Sequence, residues 1–402
     1  MIQNSWQNIC LYSTERDNKT SDLENRGVRR IVMYKNSDRF KIKKGNIVEI
    51  KNVGKFIGPP KIVLDIANCD VESLEATIES GYDINAKIEE VDLPPLELAL
   101  YMGQFESIKW LVSHGADLNN KEEPSFLIAV NFCDKEIIRY LAENGADIHV
   151  TRDMGVDAFE EALFLERYDN LSIIDEVGHT AEEYGGNAFR TAVLRNQMDA
   201  VEIFIRLRVD INYHKYDMVF TYNETPLCIA VRHDNLKMVK YLVEHGADTT
   251  IPDKTGMRPY NIALEQGNYK IAEYIKSFEP DELHSLQNKL QDLKKYKLTE
   301  TLLTFLQSDA PRLELGEAYT IEYIEFFSLV DTIEMKIGRR KLLRISKEVG
   351  DYPDLMLLWN PKDQCVSYYD MEHENFGNIA PWEKFIENAG EYMESYFNGE
   401  FD

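Results

Sequence analysis

The densest group of side chains able to do chemistry is Asp370-Met371-Glu372-His373-Glu374. Carboxylates and an imidazole at that spacing suit metal binding or acid–base work. If the extended segment before it continues, Asp370, Glu372 and Glu374 share one face of a strand and His373 takes the other. Three oxygen ligands on one strand can hold a hard cation, but a catalytic site needs further groups from elsewhere. No second dense cluster of His, Asp and Glu stands nearby in sequence. Three readings follow: a partner-contact surface, a solvated strand end, or a metal-assisted hydrolase built around Asp370 and His373.

Other reactive types are scattered. No G-x-S-x-G, P-loop, G-x-G-x-x-G or H-E-x-x-H motif occurs. His114 and His245 each precede a glycine that ends an apolar helical run, where an imidazole faces a helix C-terminus favourably. His179 lies between Gly178 and Thr180 without a visible catalytic partner. The five cysteines (Cys10, Cys69, Cys133, Cys228, Cys365) are far apart, which argues against disulfides and zinc modules and for a reducing cytoplasm. Cys133 and Cys228 sit on or beside apolar helices and are expected to be packed and inert. No enzyme activity, cofactor or metal is expected.

The elements that must position the acidic cluster are short strands. Tyr319–Leu329, Thr332–Ile337 and Leu342–Ser346 are rich in Ile, Tyr, Phe and Thr, with Gly338-Arg339-Arg340 as a turn. Leu355–Trp359, the turn Asn360–Gln364 and Cys365–Asp370 form the clearest hairpin. Pro381 opens a helix with Trp382, Phe385, Ile386, Ala389, Met393 and Tyr396 on one face. Leu283–Leu306 has helical spacing and predicts one connecting helix.

Upstream, one string recurs: Gly81-Tyr82-Asp83-Ile84-Asn85, Gly115-Ala116-Asp117-Leu118-Asn119, Gly145-Ala146-Asp147-Ile148-His149 and Gly246-Ala247-Asp248-Thr249-Thr250, with a degenerate copy at Arg208–Asn212. A period near 33 residues marks a repeat array. Glu224-Thr225-Pro226-Leu227-Cys228-Ile229-Ala230 resembles the ankyrin T-P-L-H-x-A signature, with Cys228 in place of His. Thr225 can cap a helix, Pro226 suits its first turn, and Gly246 supplies the left-handed residue that ends the next helix. Similar units start near Pro94–Ala99, Pro124–Ala129 and Asn187–Ala192. Two atypical units lie around Ile62–Asn85 and Val156–Gly178, giving about seven over residues 61–280. Lys215–Tyr222 reads as an insertion projecting from one face. The fold class expected is mainly α: a repeat solenoid with an N-terminal β-ribbon cap and a C-terminal α+β domain.

Residues 1–60 suggest short strands at Arg29–Tyr34, Phe40–Lys43 and Ile47–Ile50, read as a basic cap. Residues 281–309 are read as the link, and 310–402 as the last domain. There, Leu357-Leu358-Trp359-Asn360-Pro361, Val366-Ser367-Tyr368-Tyr369-Asp370 and Pro381-Trp382-Glu383-Lys384-Phe385-Ile386 resemble the SUKH superfamily (Smi/Knr-type). That family includes bacterial toxin-immunity proteins and relatives of a yeast cell-wall-synthesis regulator.

Both resemblances imply a non-enzymatic binding protein of the cytoplasm. The one expected is an immunity protein that covers the active site of a basic, plausibly nuclease, toxin. The alternative is a general ankyrin scaffold or regulator. Charge fits a basic protein partner and excludes nucleic acid, since the 402 residues carry a net −25. Residues 1–60 hold 12 basic and 6 acidic residues, residues 61–280 hold 20 and 40, and residues 281–402 hold 13 and 24. No apolar run reaches the length of a membrane span. The start, Met1–Trp6, lacks a secretory profile. Asp370, Glu372 and Glu374, with His373 and Trp359 nearby, are the expected partner contacts, and acidic repeat tips the second set.

Overall fold

The computed structural model describes residues 40–43, 47–50, 54–89 and 91–400. Three short strands come first, β1 (Phe40–Lys43), β2 (Ile47–Ile50) and β3 (Gly54–Ile57), paired antiparallel in that order. Arg29–Tyr34, expected as a further strand, lies outside the described residues, as does most of the basic charge behind the cap reading.

Seven helix pairs follow: Lys61–Asn68 with Val71–Glu79, Pro95–Met102 with Phe105–Ser113, Ser125–Phe132 with Lys135–Glu143, Ala158–Phe164 with Leu171–Glu176, Gly186–Leu194 with Met198–Arg206, Pro226–Arg232 with Leu236–Glu244, and Pro259–Glu265 with Tyr269–Lys276. Local chemistry sets their ends. The Thr225 hydroxyl accepts from the Cys228 amide at 3.1 Å, with Pro226 at the first helical position. Asn235 and Asn268 cap the two last outer helices in the same way. Nδ1 of His114 bonds the Trp110 carbonyl at 2.8 Å, and that of His245 the Tyr241 carbonyl at 2.7 Å. Each carbonyl also accepts the histidine's own amide, so the imidazole adds a second bond at the helix end.

First helices of successive pairs pack on one another far more extensively than second helices do, so the stack is tighter on their side and curves toward it. Between pairs, a ladder of side-chain bonds fixes register. The amide oxygens of Asn85, Asn119 and Asn212 accept from the backbone amides of Asp117, Asp147 and Asp248, each at 2.8 Å. Cys133 and Cys228 are buried in the stack. Burial pushes the Cys228 thiol up to about 12, which keeps it a protonated, unreactive thiol.

The expected connecting helix is a correction. Residues 281–306 form four short turns and helices, among them Leu286–Asp292 and Glu300–Leu306. Lys297 adopts a left-handed conformation (φ 51°) that stops one helix, and the Thr299 hydroxyl caps the next. Their apolar residues Leu293, Tyr296, Leu302 and Leu306 pack in the core of the last domain, so this segment belongs to it.

That domain holds a five-stranded antiparallel sheet in the order β11-β10-β9-β7-β6 and a three-stranded one, β4-β5-β8. The strands are β4 (Arg312–Glu314), β5 (Tyr323–Phe326), β6 (Ile333–Ile337), β7 (Arg340–Arg344), β8 (Ser346–Val349), β9 (Leu355–Asn360), β10 (Cys365–Asp370) and β11 (Asn375–Ala380). The closing helix is broken at Asn388 (φ −133°) into Trp382–Glu387 and Ala389–Phe397. The break leaves Ile386 36% exposed while Trp382, Phe385 and Met393 stay in the core.

The domain packs on the last repeat. Phe327 and Ile333 join the core of the helical stack. Arg344, 3% exposed, reaches Glu265 Oε1 at 2.5 Å and also donates to the Ser346 and Lys347 carbonyls. A buried guanidinium is tolerated only when its donors are satisfied this way.

Candidate partner-binding surface

The acidic cluster is not a continuing strand. β10 ends at Asp370, and Met371–Glu374 make the turn into β11, with Glu374 left-handed (φ 52°). Asp370 Oδ1 accepts from the amides of Glu372 (3.0 Å) and His373 (3.2 Å). Its Oδ2 accepts from Tyr396 Oη at 2.7 Å and meets His373 Nδ1 at 2.8 Å. Burial opposes ionisation of this carboxyl, but the bonds from His373 and Tyr396 outweigh it and hold Asp370 below the ordinary carboxylate range. The bond to Asp370 in turn raises His373 above the usual imidazole value.

Asp370 therefore spends its acceptors on its own turn, and the shared carboxylate face does not form. Glu372, His373 and Glu374 are exposed at the tip. Among the described residues, no group of three or more His, Cys, Asp or Glu is arranged to hold a metal ion.

Trp359 corrects a second expectation. It pairs with Val366, at the far end of the hairpin from Asp370 and Leu355. Fully buried, it donates its indole N–H to the Tyr296 carbonyl at 2.8 Å. No partner can reach it. The strand carrying it is buried on both faces, with Leu355, Leu357 and Trp359 toward the main core and Met356 and Leu358 toward a smaller cluster.

Tyr222, the last residue of the insertion Lys215–Tyr222, stands near the Asp370–Leu355 end of the hairpin. Burial first, then the charge of Asp354, pushes the Tyr222 phenol up, and Tyr369 is a further neighbour. Asp354 itself is raised by burial and by Glu372 and Asp370. Tyr216, Met218 and Val219 are exposed on the insertion, at 65%, 74% and 41%. Beneath them the wholly buried Arg190 guanidinium lies 4.3 Å from the Phe220 ring centre, and it bonds Asn187 Oδ1 and the Glu224 carbonyl. That anchor holds the loop in place.

In the first inter-repeat loops two cations are already engaged. Arg152 meets Glu161 at 2.5 Å and Glu123 at 3.2 Å, and Lys87 meets Glu122 at 3.4 Å and Asp92 at 3.6 Å. Burial pushes Glu97 and Glu160 both up to about 7.

One cluster is not announced by any motif in the sequence. His179, 1% exposed, has Nδ1 3.0 Å from His149 Nδ1 and Nε2 3.3 Å from Asp157 Oδ2, and its ring stacks on Tyr184. The one visible signal is His149, which stands where Asn85 and Asn119 carry the ladder.

The family model for ankyrin repeats (three copies) matches residues 63–152 and 176–282. The fourth helix pair falls in the gap between them. An ankyrin repeat protein of Fowlpox virus is 25% identical over 290 residues, covering 64% of this chain and 50% of that protein. One from Rickettsia felis is 24% identical over 221 residues, covering 54% and 44%. The human transient receptor potential cation channel subfamily A member 1 is 25% identical over 193 residues, covering 45% and 17%. The chain spans half or less of the length of each of these three relatives. No helix among the described residues is long and apolar enough to cross a membrane. The helix pairs within residues 63–152 and 176–282 are ankyrin repeats, and over those residues the chain is an ankyrin-repeat protein.

Proposed function

We propose that this chain is a non-enzymatic scaffold whose ankyrin array docks a basic protein through its inner, acidic side. The observation that carries the reading is the acidic excess of the array. Residues 61–280 hold 20 basic against 40 acidic residues, and Lys87 and Arg152 are already paired with carboxylates of their own loops and helices. Solenoids offer such long surfaces to proteins rather than to small molecules. Charge complementarity of this kind accelerates encounter and makes it salt-sensitive.

A toxin-neutralising role belongs to the same class of partner. Its support is the SUKH resemblance of residues 310–402 together with the exposed Glu372 and Glu374. The cytoplasm is the compartment proposed, on the reduced state of four buried or half-buried cysteines.

The test is in-cell crosslinking with mass spectrometry on the full chain. Crosslinks from a basic protein to the loop tips and the insertion, lost at high salt, are expected. An acidic partner, or one bound along the outer helices, sinks the proposal. For the toxin variant, co-expression must rescue cells carrying the toxin, and Glu372→Ala with Glu374→Ala must weaken that rescue.

A further inference from the structure

A cavity of about 340 Å³ opens between the first two inter-repeat loops. Lys87 and Asp92 line it from one loop, Asn120, Glu122 and Glu123 from the next, and Glu97 from the first turn of the helix between them. Aligned on the small residue of each inner helix (Ala99, Ala162, Ala192, Ala230), Glu97 takes the place held elsewhere by Glu160, Arg190 and Cys228. Glu97 itself lines the cavity between the two loops, so its carboxyl faces whatever enters there.

Glu97 is 3% exposed, and one oxygen, Oε1, accepts from Asn120 Nδ2 at 2.6 Å. A carboxylate has room for about four donors, so a single amide leaves most of its capacity open to the cavity. The second oxygen borders the cavity, where water or a donor group of a ligand supplies the remaining bonds. Lys87 does not supply them, because it is exposed and divides its contacts between Asp92 and Glu122. Exposed pairs of this kind are worth little and are readily exchanged. Glu123 is turned toward Arg152.

We propose that this cavity receives the guanidinium of an arginine side chain from the protein partner, with Glu97 as the buried counter-charge and Asp92 and Glu122 closing over it. The inference rests on the scaffold reading above and names the feature of the partner that it recognises. Arginine is favoured over lysine because carboxylates converge from three elements. A planar fork of five donors can span them, whereas an ammonium is a point charge. Burial, only partly offset by the Asn120 bond, places the Glu97 acid at about 7. The charged groups facing it are Lys87 and Asp92 on one side and Glu122 and Glu123 on the other, with Arg152 behind Glu123. Arrival of the cation ionises Glu97 and sends its proton to solvent, so binding below neutral pH releases a proton.

The probes are ten-residue peptides of random sequence, displayed on phage and selected on the full chain, then measured by calorimetry in buffers of different ionisation heat. The comparison is Glu97→Gln, which keeps the acceptor for Asn120 and so keeps the fold. Selected peptides are expected to share one fixed arginine, to bind Glu97→Gln at least tenfold more weakly at pH 7.5, and to release a proton at pH 6.5 only from the native chain. Peptides that bind the variant within twofold, or accept lysine for arginine without loss, overturn the cavity assignment and leave the scaffold reading standing. Recovery of no peptide overturns both.

Discussion

Substituting Gly256 by alanine isolates the contact that joins array and C-terminal domain. Gly256 sits in the loop closed by the Asp253 amide and the Met257 carbonyl, at φ +89°. A Cβ there would stand 2.7 Å from the Glu334 carbonyl oxygen and 3.2 Å from Ile333 Cγ2, both in β6 of the C-terminal domain. Two costs arise. The left-handed backbone costs an L-residue about 1–2 kcal/mol. Opening the packed junction by roughly half an ångström costs a further ~1–3 kcal/mol, as overpacked cores do. Gly246 separates the two, since at φ +97° a Cβ on it would meet nothing within 4 Å. Gly246→Ala therefore carries the backbone strain alone. The lower entropy of the unfolded alanine chain enters both variants equally and cancels in the difference. The expectation is that Gly256→Ala costs about 1–3 kcal/mol more than Gly246→Ala. Urea unfolding measures it, followed by far-ultraviolet circular dichroism for the helices and by fluorescence of the buried Trp359 and Trp382. Equal losses for the two variants refute a packed junction.

Two further expectations follow from single side chains. Because Glu97 is raised from 4.5 to about 7 on folding, its contribution to stability is complete below about pH 4.5 and is lost as pH rises through 7. The native chain should thus lose up to about 3 kcal/mol between pH 5 and 8 at this position, and Glu97→Gln should flatten that part of the profile; an unchanged slope counts against it. Trp359→Phe removes the indole bond to the Tyr296 carbonyl and should cost about 1–3 kcal/mol in urea titration, yet leave partner affinity unchanged once folded; a direct loss of affinity would return Trp359 to the binding surface.

The repeats are legible because their ends are spelled locally. Thr225-Pro226 writes a cap, and Gly246 writes a stop. The broken link at 281–306 is spelled too, by the caps Ser285 and Thr299, but a helical period across Leu283–Leu306 masks them. Asp370 is ambiguous for a different reason. Aspartate serves equally as a strand-face ligand and as a turn former, and only the end of β10 decides between them. Trp359 reads as accessible because its strand precedes a polar turn, while the cover over both its faces comes from residues distant in the chain. His179 meets a partner 30 residues away, which no local spacing reports.

Contacts at the junction change what a partner can meet. Arg344 and Glu265 lock β7 to the last inner helix, and the Lys254 amide donates to the Tyr222 carbonyl, tying the insertion to the last loop. Tyr222 in turn neighbours Asp354, whose carbonyl holds the Met371 amide at 2.9 Å. Tyr222, at the end of the insertion, is thus tied to the last repeat loop and stands near the strand end that carries Asp354.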